Sequence, residues 1–342
     1  MTGIVRIGAR NSPLARAQAD LVAASLGAYG VESEFVPIST RGDVDRRELT
    51  QIGGTGVFTG AVREALLGGT VHLGVHSLKD LPTGPVDGLE IVAYPEREDT
   101  REIVVGRWLD DPEIVGGRLD YGIGTGAPRR AAQLRQLASD RGIAIRIEPI
   151  RGNVDTRVKL VADGRFDATV LAAAGLRRLN RIEGWSPDQE EPDRELTVGG
   201  LPARLLSYDQ MLPAAGQGAL AVEAATNLDS EIRAVVTRLD HAATRAEVLA
   251  ERRFLAVLEA GCTAPVGARA EFTSSARVAD GGTVRDAGAD LTLAAVIGRT
   301  KGDAGLITVA GSGSSVDPAE LGERLANQVL SIIGPDGLHD HN

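Results

Sequence analysis

Short apolar runs alternate with amphipathic ones in two separate stretches of this chain, and that alternation restricts the fold more than any other feature. "IVRIGA" (4–9) has the length and branched residues of a buried strand. "NSPLARAQADLVAASLGAYG" follows it, with Ser12 as a helix N-cap, Pro13 at the first helical position and Leu14, Ala17, Leu21 and Ala24 as an apolar stripe. "SEFVPIST" (33–40) reads as a second strand, "VFTGAVREALL" (57–67) as a helix with Phe58, Ala61, Val62 and Ala65 on one face, and "VHLGVHS" (71–77) as a third strand. Strands separated by helices need crossover connections, so a parallel sheet covered on both faces is expected. The pattern restarts after the charged segment "PEREDTRE" (95–102). There "YGIGTGAPRRAAQLRQLA" reads as strand, glycine-rich turn and helix, "IAIRIEPIRGNVDTRVKLVADG" as strand, loop and a helix packed through Val154, Val158 and Val161, and "DATVLAAAGLRRL" as strand and helix.

The remainder is built differently. "EGWSPDQEEPDRELTVGG" (183–200) is rich in Pro, Gly and acidic residues and reads as an exposed loop. A helix is expected from about Thr244 to Glu259, opened by a Thr244–Glu247 capping box, packed through Ala246, Ala250, Phe254 and Val257, and ended by Gly261. "APVGARAEF", "ADLTLAAVIG" and "GLITVAGS" have the look of antiparallel strands, and "DPAELGERLANQVLSIIG" is a closing helix capped by Asp317. At 342 residues the chain exceeds one ordinary core. The expected fold is α/β: two tandem α/β domains, 1–98 with about 203–222 and then 99–202, followed by a smaller C-terminal α+β domain with an antiparallel sheet, 223–342.

A net charge of −10 opposes binding to nucleic acid or to an anionic membrane. No run approaches the roughly 18–20 apolar residues of a membrane span. "MTGIVRIGAR" lacks a signal-peptide plan, and the single cysteine, Cys262, cannot form an internal disulfide, so a cytoplasmic protein is expected. Against this acidic background the arginines are placed unevenly. The loops expected at the carboxyl ends of strands, "GARNSP" (8–13), "STRGD" (39–43), "VHSLKDLP" (75–82), "GTGAPRR" (124–130), "IRGNVDTR" (150–157) and "AGLRRL" (174–179), all carry Arg or Lys. Ligands of α/β sheets bind at those ends. Arginine makes paired hydrogen bonds to carboxylates, so a cleft for a small molecule with several carboxylates or phosphates is implied. "GTGAPRR" has neither the GxxxxGK[ST] nor the GxGxxG spacing, which argues against a nucleotide.

In "HSLKD" a carboxylate, Asp80, stands beside Lys79 among many cations, where it stays ionised and is suited to stabilise positive charge or shuttle a proton. Cys262, in "LEAGCTAPVG", reads as a small buried side chain, a nucleophile or a covalent attachment point. His72, His76, His241, His339 and His341 stand in no cysteine-protease context, and no metal-ligand spacing exists.

Taken together and in order from residue 7 to about 268, "IGARNSPLARAQAD", "TRGD", "VHSLKDLP", "GTGAPRRAAQLR", "IRGNVDTR", "LAAAGLRRL", "LPAAGQGALAVE" and "LEAGCTAPVGA" resemble the porphobilinogen deaminase (hydroxymethylbilane synthase) family. The resemblance implies three domains, the first two like the lobes of periplasmic binding proteins, in a monomer. It implies condensation of four porphobilinogen molecules into hydroxymethylbilane with loss of four ammonia, in tetrapyrrole biosynthesis. A dipyrromethane cofactor is then expected as a thioether on Cys262, with its carboxylates held by Ser77, Lys79, Thr125, Ala127, Arg129 and Arg130. Asp80 becomes the catalytic aspartate, also facing the cofactor, and Arg10, Ser12, Arg151, Arg157 and Arg178 the substrate-side set; no metal is implied. Hinge movement near 95–102 and 200–213 is expected.

Some positions depart from the family pattern. Thr55 stands where lysine is common, and Gly126-Ala127-Pro128 replaces two serines and a leucine, leaving backbone N–H groups to serve. Asp155 is expected to pair with Lys159. A binding protein for a polyanionic small molecule and a cysteine hydrolase are the competing readings. The first leaves Cys262 and the third domain without a task.

Overall fold

In the computed structural model, which describes residues 3–39, 59–117, 120–185, 195–261, 264–273, 290–298 and 305–334, the first apolar run is strand β1 (Val5–Arg10) and leads into helix α1 (Pro13–Gly27). The Ser12 side chain accepts from Ala15 N at 3.2 Å and Pro13 occupies the first turn, as expected. The buried face is rotated by one residue from the expected stripe: it is Ala15, Gln18, Ala19, Val22 and Leu26, while Leu21 is 49% exposed. This rotation buries the longer Val22 and Leu26 against the sheet and turns Leu14 toward Gly175 of the second lobe.

Next come β2 (Ser33–Ile38), α2 (Gly60–Leu67), β3 (Leu73–Ser77), a single 3-10 turn over Leu78–Asp80 and β4 (Leu89–Ala93). The second lobe contains β5 (Glu102–Gly106), α3 (Pro112–Val115), β6 (Tyr121–Gly124), α4 (Pro128–Ser139), β7 (Ile145–Glu148), α5 (Val154–Ala162), β8 (Ala168–Ala172), α6 (Ala173–Arg178), β9 (Leu196–Val198) and β10 (Leu201–Leu205). The chain then returns as β11 (Leu220–Ala225) and α7 (Ser230–Val236).

The first sheet has the order β2-β1-β3-β11-β4 and the second β7-β6-β8-β5-β10-β9. Both follow one plan: the second, first and third strands of the lobe are parallel, and the next strand is antiparallel to the third. That antiparallel strand is β11 in the first sheet and β5 in the second, in each case the strand that arrives from the other lobe. The sheets are therefore mixed, not wholly parallel as the alternation implied. Because β10 pairs with β5, residues 203–205 belong to the second sheet, and the return crossing runs through 206–219. The other crossing is 94–101. The expected loop over 183–200 contains β9; its residues 186–194, like "TRGD", Thr55, Phe58 and Cys262, lie outside the described residues.

The third unit packs helices α8 (Ala242–Val257) and α9 (Pro318–Ile333) on an antiparallel sheet of β12 (Val266–Phe272), β13 (Leu291–Gly298) and β14 (Leu306–Gly313). Ala250, Phe254, Leu293, Leu321 and Leu325 form its core. Asp317 caps α9 as expected. The Thr244–Glu247 capping box does not form: α8 starts two residues earlier, with the His241 ring accepting from Thr244 N, and Thr244 Oγ1 is spent on Arg97 N at 3.0 Å. Nor does Gly261 end α8; Leu258 is its C-cap, and Glu259 takes the left-handed conformation, φ 49°. Among the described residues no helix is long and apolar enough to cross a membrane.

The two crossings touch through Glu98 N, which donates to Gly218 O at 3.2 Å. Gly218 has φ 84°, and a Cβ there would stand 2.3 Å from Glu98 O, so both backbone freedom and the missing side chain are used. Gly218→Ala is expected to destabilise the protein by about 1–3 kcal/mol from backbone strain alone, with the clash added. A denaturant midpoint equal to that of the parent protein contradicts this.

Candidate functional site

Strand β3 ends at Ser77, and the following 3-10 turn is closed by Leu81 N donating to Leu78 O at 3.0 Å. Leu78 and Leu81 are buried with Tyr94, Ala219, Ala221 and Val248. With the leucines anchored, Lys79 is left partly buried and Asp80 exposed at the end of the turn. Ser77 Oγ exchanges hydrogen bonds of 2.8 and 3.1 Å with the buried Gln18 amide of α1. Lys79 Nζ donates to Gln217 Oε1 at 3.2 Å, and Gln217 Nε2 donates to Thr100 O at 2.9 Å. Gln217 is fully buried between the crossings.

On the opposite lobe β6 leads through Thr125 into α4, whose N-terminus no side chain caps. The Thr125 hydroxyl accepts from Ala127 N at 3.2 Å, so this main-chain donor, expected to face a ligand, is already engaged. A Cβ on Gly126 would lie 2.8 Å from Ile150 O, which explains why the smallest residue suits this turn. Arg129 and Arg130 follow, each only 5% exposed, and they share an internal carboxylate. Arg129 Nη2 donates to Glu102 Oε1 at 2.5 Å and Arg130 Nη2 to Oε2 at 2.8 Å. Arg129 Nη1 also reaches Leu212 O at 2.6 Å, and Arg130 Nη1 reaches Val170 O at 2.7 Å. Arg130 Nε is buried with no hydrogen-bond partner among the described residues.

The other expected residues lie on neighbouring loops. Arg151 is exposed, and the partly buried Arg157 donates Nε to Gly152 O at 3.0 Å. Arg178, at the end of α6, donates to Gly218 O at 2.6 Å, which ties it to the return crossing. Arg10 is partly buried at the end of β1, and Ser12 serves as the cap of α1. Asp155 does not pair with Lys159. It meets Arg181 at 3.2 Å, while Lys159 meets Asp163, one turn further along α5, at 2.8 Å. Cys262 lies outside the described residues; on either side of it, Ala264 N donates to Gly261 O at 3.0 Å.

Burial and neighbouring charge act together on the ionisable groups here. Burial pushes Lys79 down to about 8, and the charges of Arg130 and Arg129 add to that against the pull of Asp80 and Glu102. Arg157 is lowered to about 10, first by burial and then by Arg130 and Arg151, with Asp80 opposing. Arg178 is lowered to about 10 by burial and by Arg177, against Glu98. Burial alone would raise Glu102, but Arg130 and Arg129 outweigh it and hold the carboxyl at about 2. Asp80, Lys79, Arg129, Arg130, Arg151 and Arg157 thus share one field, and an added anion relieves it.

Glu102, Gln18 and Gln217 escaped sequence reasoning. Glu102 sits in a charged segment 27 and 28 residues from its two arginines, and nothing local marks that meeting.

Lys79 is expected to titrate near pH 8 in protein free of anionic ligand, with the unfolded chain near the ordinary 10.5. Between those values the unfolded chain holds the extra proton, so this group's contribution to stability rises with pH across the window. Bound carboxylates shift the midpoint upward, and binding near pH 8–9 takes up a proton. The chain has only three lysines, so NMR of ¹³C-methylated lysines resolves this directly. A Lys79 midpoint near 10.5 in the free protein contradicts the expectation.

Residues 5–234 match the family model "Porphobilinogen deaminase, dipyromethane cofactor binding domain", and residues 245–331 match "Porphobilinogen deaminase, C-terminal domain". Porphobilinogen deaminase 1 of Streptomyces coelicolor is 45% identical over 332 residues, covering 96% of this chain and 95% of that one. The porphobilinogen deaminase of Thermobifida fusca is 46% identical over 275 residues, 80% of this chain and 78% of its own. That of Mycobacteroides abscessus is 42% identical over 331 residues, 96% and 97%. Among solved structures, a periplasmic substrate-binding protein from Coxiella burnetii is 13% identical, with 69% of this chain and 92% of that one covered at a TM-score of 0.38. The tandem α/β fold is read from strand order, and the family from these sequence matches over nearly the whole chain: it belongs to the porphobilinogen deaminases.

Proposed function

We propose that this chain joins four porphobilinogen molecules head to tail into hydroxymethylbilane, releasing four ammonia, from a dipyrromethane primer held as a thioether on Cys262. The observation that carries the reading is the concentration of Lys79, Arg129, Arg130, Arg151 and Arg157 around Asp80. When bound, the dipyrromethane supplies the terminal pyrrole carbon to which the first substrate is joined. The residues present fit such a group: its side chains are carboxylates, Arg130 keeps a buried Nε with no hydrogen-bond partner among the described residues, and the first turn of α4 has no side-chain cap. Ser77, Lys79, Thr125, Arg129 and Arg130 would hold it, and Ala127 would add only main-chain atoms.

Arg10, Ser12, Arg151, Arg157 and Arg178 bind the acetate and propionate of porphobilinogen and of the growing chain, where paired guanidinium bonds fix orientation. Glu102 fixes the guanidiniums of Arg129 and Arg130 from within the protein. The Asp80 carboxylate stabilises positive charge on pyrrole nitrogen as ammonia leaves and rings join, and it holds or returns the N–H proton. The lobes shift about 94–101 and 206–219 as the product lengthens. This takes place in a cytoplasmic monomer of three domains, acting on a small molecule without nucleic acid or membrane.

A binding protein for a polyanion would have the same arginines and no covalent group. Intact mass separates the readings: the active protein is expected to carry an increment of two pyrrole units on the peptide containing Cys262, and Cys262→Ser to lack both increment and turnover. An active protein without the increment refutes the assignment. Asp80→Asn keeps shape and removes charge, and is expected to lower turnover by about 100-fold or more while the mass increment remains. Near-normal turnover by that variant sinks the role given to Asp80.

A further inference from the structure

Helix α8 presents two residues, one turn apart, to the turn that bears Asp80. Val248 is fully buried among Leu78, Leu81, Tyr94, Ala219 and Ala221. Arg252 donates Nη1 to Leu81 O at 2.9 Å and Nη2 to Pro82 O at 2.7 Å. These carbonyls directly follow Asp80, and Leu81 N is the donor that closes the turn on Leu78 O. The other side of α8, through Ala250 and Phe254, is part of the third unit's core, and its C-terminal end leads into the segment that contains Cys262.

A three-residue 3-10 turn has little internal hydrogen bonding to hold it. Asp80 is exposed, and no hydrogen bond from a described partner fixes its carboxylate. The placement of that carboxylate therefore depends on what grips the backbone after it. Two consecutive carbonyls are matched by the planar fork of a guanidinium and not by a single ammonium.

We propose that Arg252 is a positioning residue that locks the Leu78–Asp80 turn, and with it the Asp80 carboxylate, to the helix leading into the Cys262 segment. The third unit and the Asp80 turn then move as one body, so the carboxylate keeps its position relative to α8 while the second lobe shifts. The inference rests on the role proposed for Asp80. It also explains why an arginine points into main-chain carbonyls beside a cleft that needs cations.

The test is R252K, compared with the parent protein in three measurements. Amide exchange at Leu81, measured in protein with and without the covalent increment, is expected to quicken about fivefold or more while the α8 and β12 amides are unchanged. Turnover is expected to fall about tenfold with KM within about twofold, since misplacement by an ångström is felt in the chemical step. In an Asp80→Glu background, where the carboxylate is already displaced, the same substitution is expected to cost less than about twofold. Unchanged Leu81 exchange overturns the clamp whatever Asp80 does. Faster exchange with the same fractional loss of turnover in both backgrounds overturns the link to Asp80. If R252K does not fold, R252Q, which keeps one donor pair, is put to the same comparisons. Near-normal turnover by Asp80→Asn would remove the catalytic reading instead, and the exchange experiment would still decide whether Arg252 holds the turn.

Discussion

The carboxylate of Glu251 is fully buried in α8 and accepts hydrogen bonds from three other parts of the chain. Oε1 receives Arg97 Nη1 at 2.9 Å and Ala270 N at 2.8 Å; Oε2 receives Arg97 Nη2 at 2.9 Å and Gly216 N at 2.6 Å. Arg97 belongs to the first crossing, Gly216 to the return crossing and Ala270 to β12. A buried carboxylate costs several kcal/mol unless its lone pairs are used and its charge is matched, and here both conditions are met. Burial would lower Arg97, but Glu251 and Glu247 outweigh it and raise it, so the guanidinium stays charged. Removing either partner would strand the other, a loss of about 3–5 kcal/mol at the point where the lobes and the third unit meet.

The site is connected to this node. Arg97 Nε donates to Gln217 O at 2.9 Å, and the side chain of Gln217 carries the connection on to Lys79 and Thr100. On the second lobe, Arg129 and Gln133 of α4 both hold Leu212 O, and the next carbonyl, Pro213 O, accepts from Ala268 N of β12. The two halves of the cleft are thus each tied to the third unit through backbone of the crossings. The cleft gathers cations inside a chain of net charge −10, and burial, before any neighbouring charge, lowers Lys79, Arg157 and Arg178.

Local features of the fold were legible in the sequence. The cap at Ser12, Pro13 at the start of α1, the cap at Asp317 and the strands of both lobes follow from side chains acting on their own neighbours. The motifs from "IGARNSPLARAQAD" to "LEAGCTAPVGA" pointed to the family, and three of them, "IGARNSPLARAQAD", "GTGAPRRAAQLR" and "LAAAGLRRL", join a strand end to a helix start. What failed were statements that needed a partner. The α1 stripe was off by one residue because Leu14 faces the second lobe. The capping box at Thr244 was displaced because Arg97 N claims that hydroxyl. Asp155 found Arg181, from another helix end, and not its own helix neighbour.

By itself the sequence determined the alternation of strands and helices, the acidic net charge with Arg or Lys at each strand-end loop, and which residues are chemically able to hold carboxylates. Tertiary structure alone decided that β11 and β5 cross between lobes and make both sheets mixed. It alone placed Glu102 between Arg129 and Arg130, Gln217 against Lys79 and Arg252 behind Asp80. The reason is range: propensity, capping and periodicity act over a turn or two of chain. Burial and ion pairing act between groups whose proximity exists only after the chain has closed on itself.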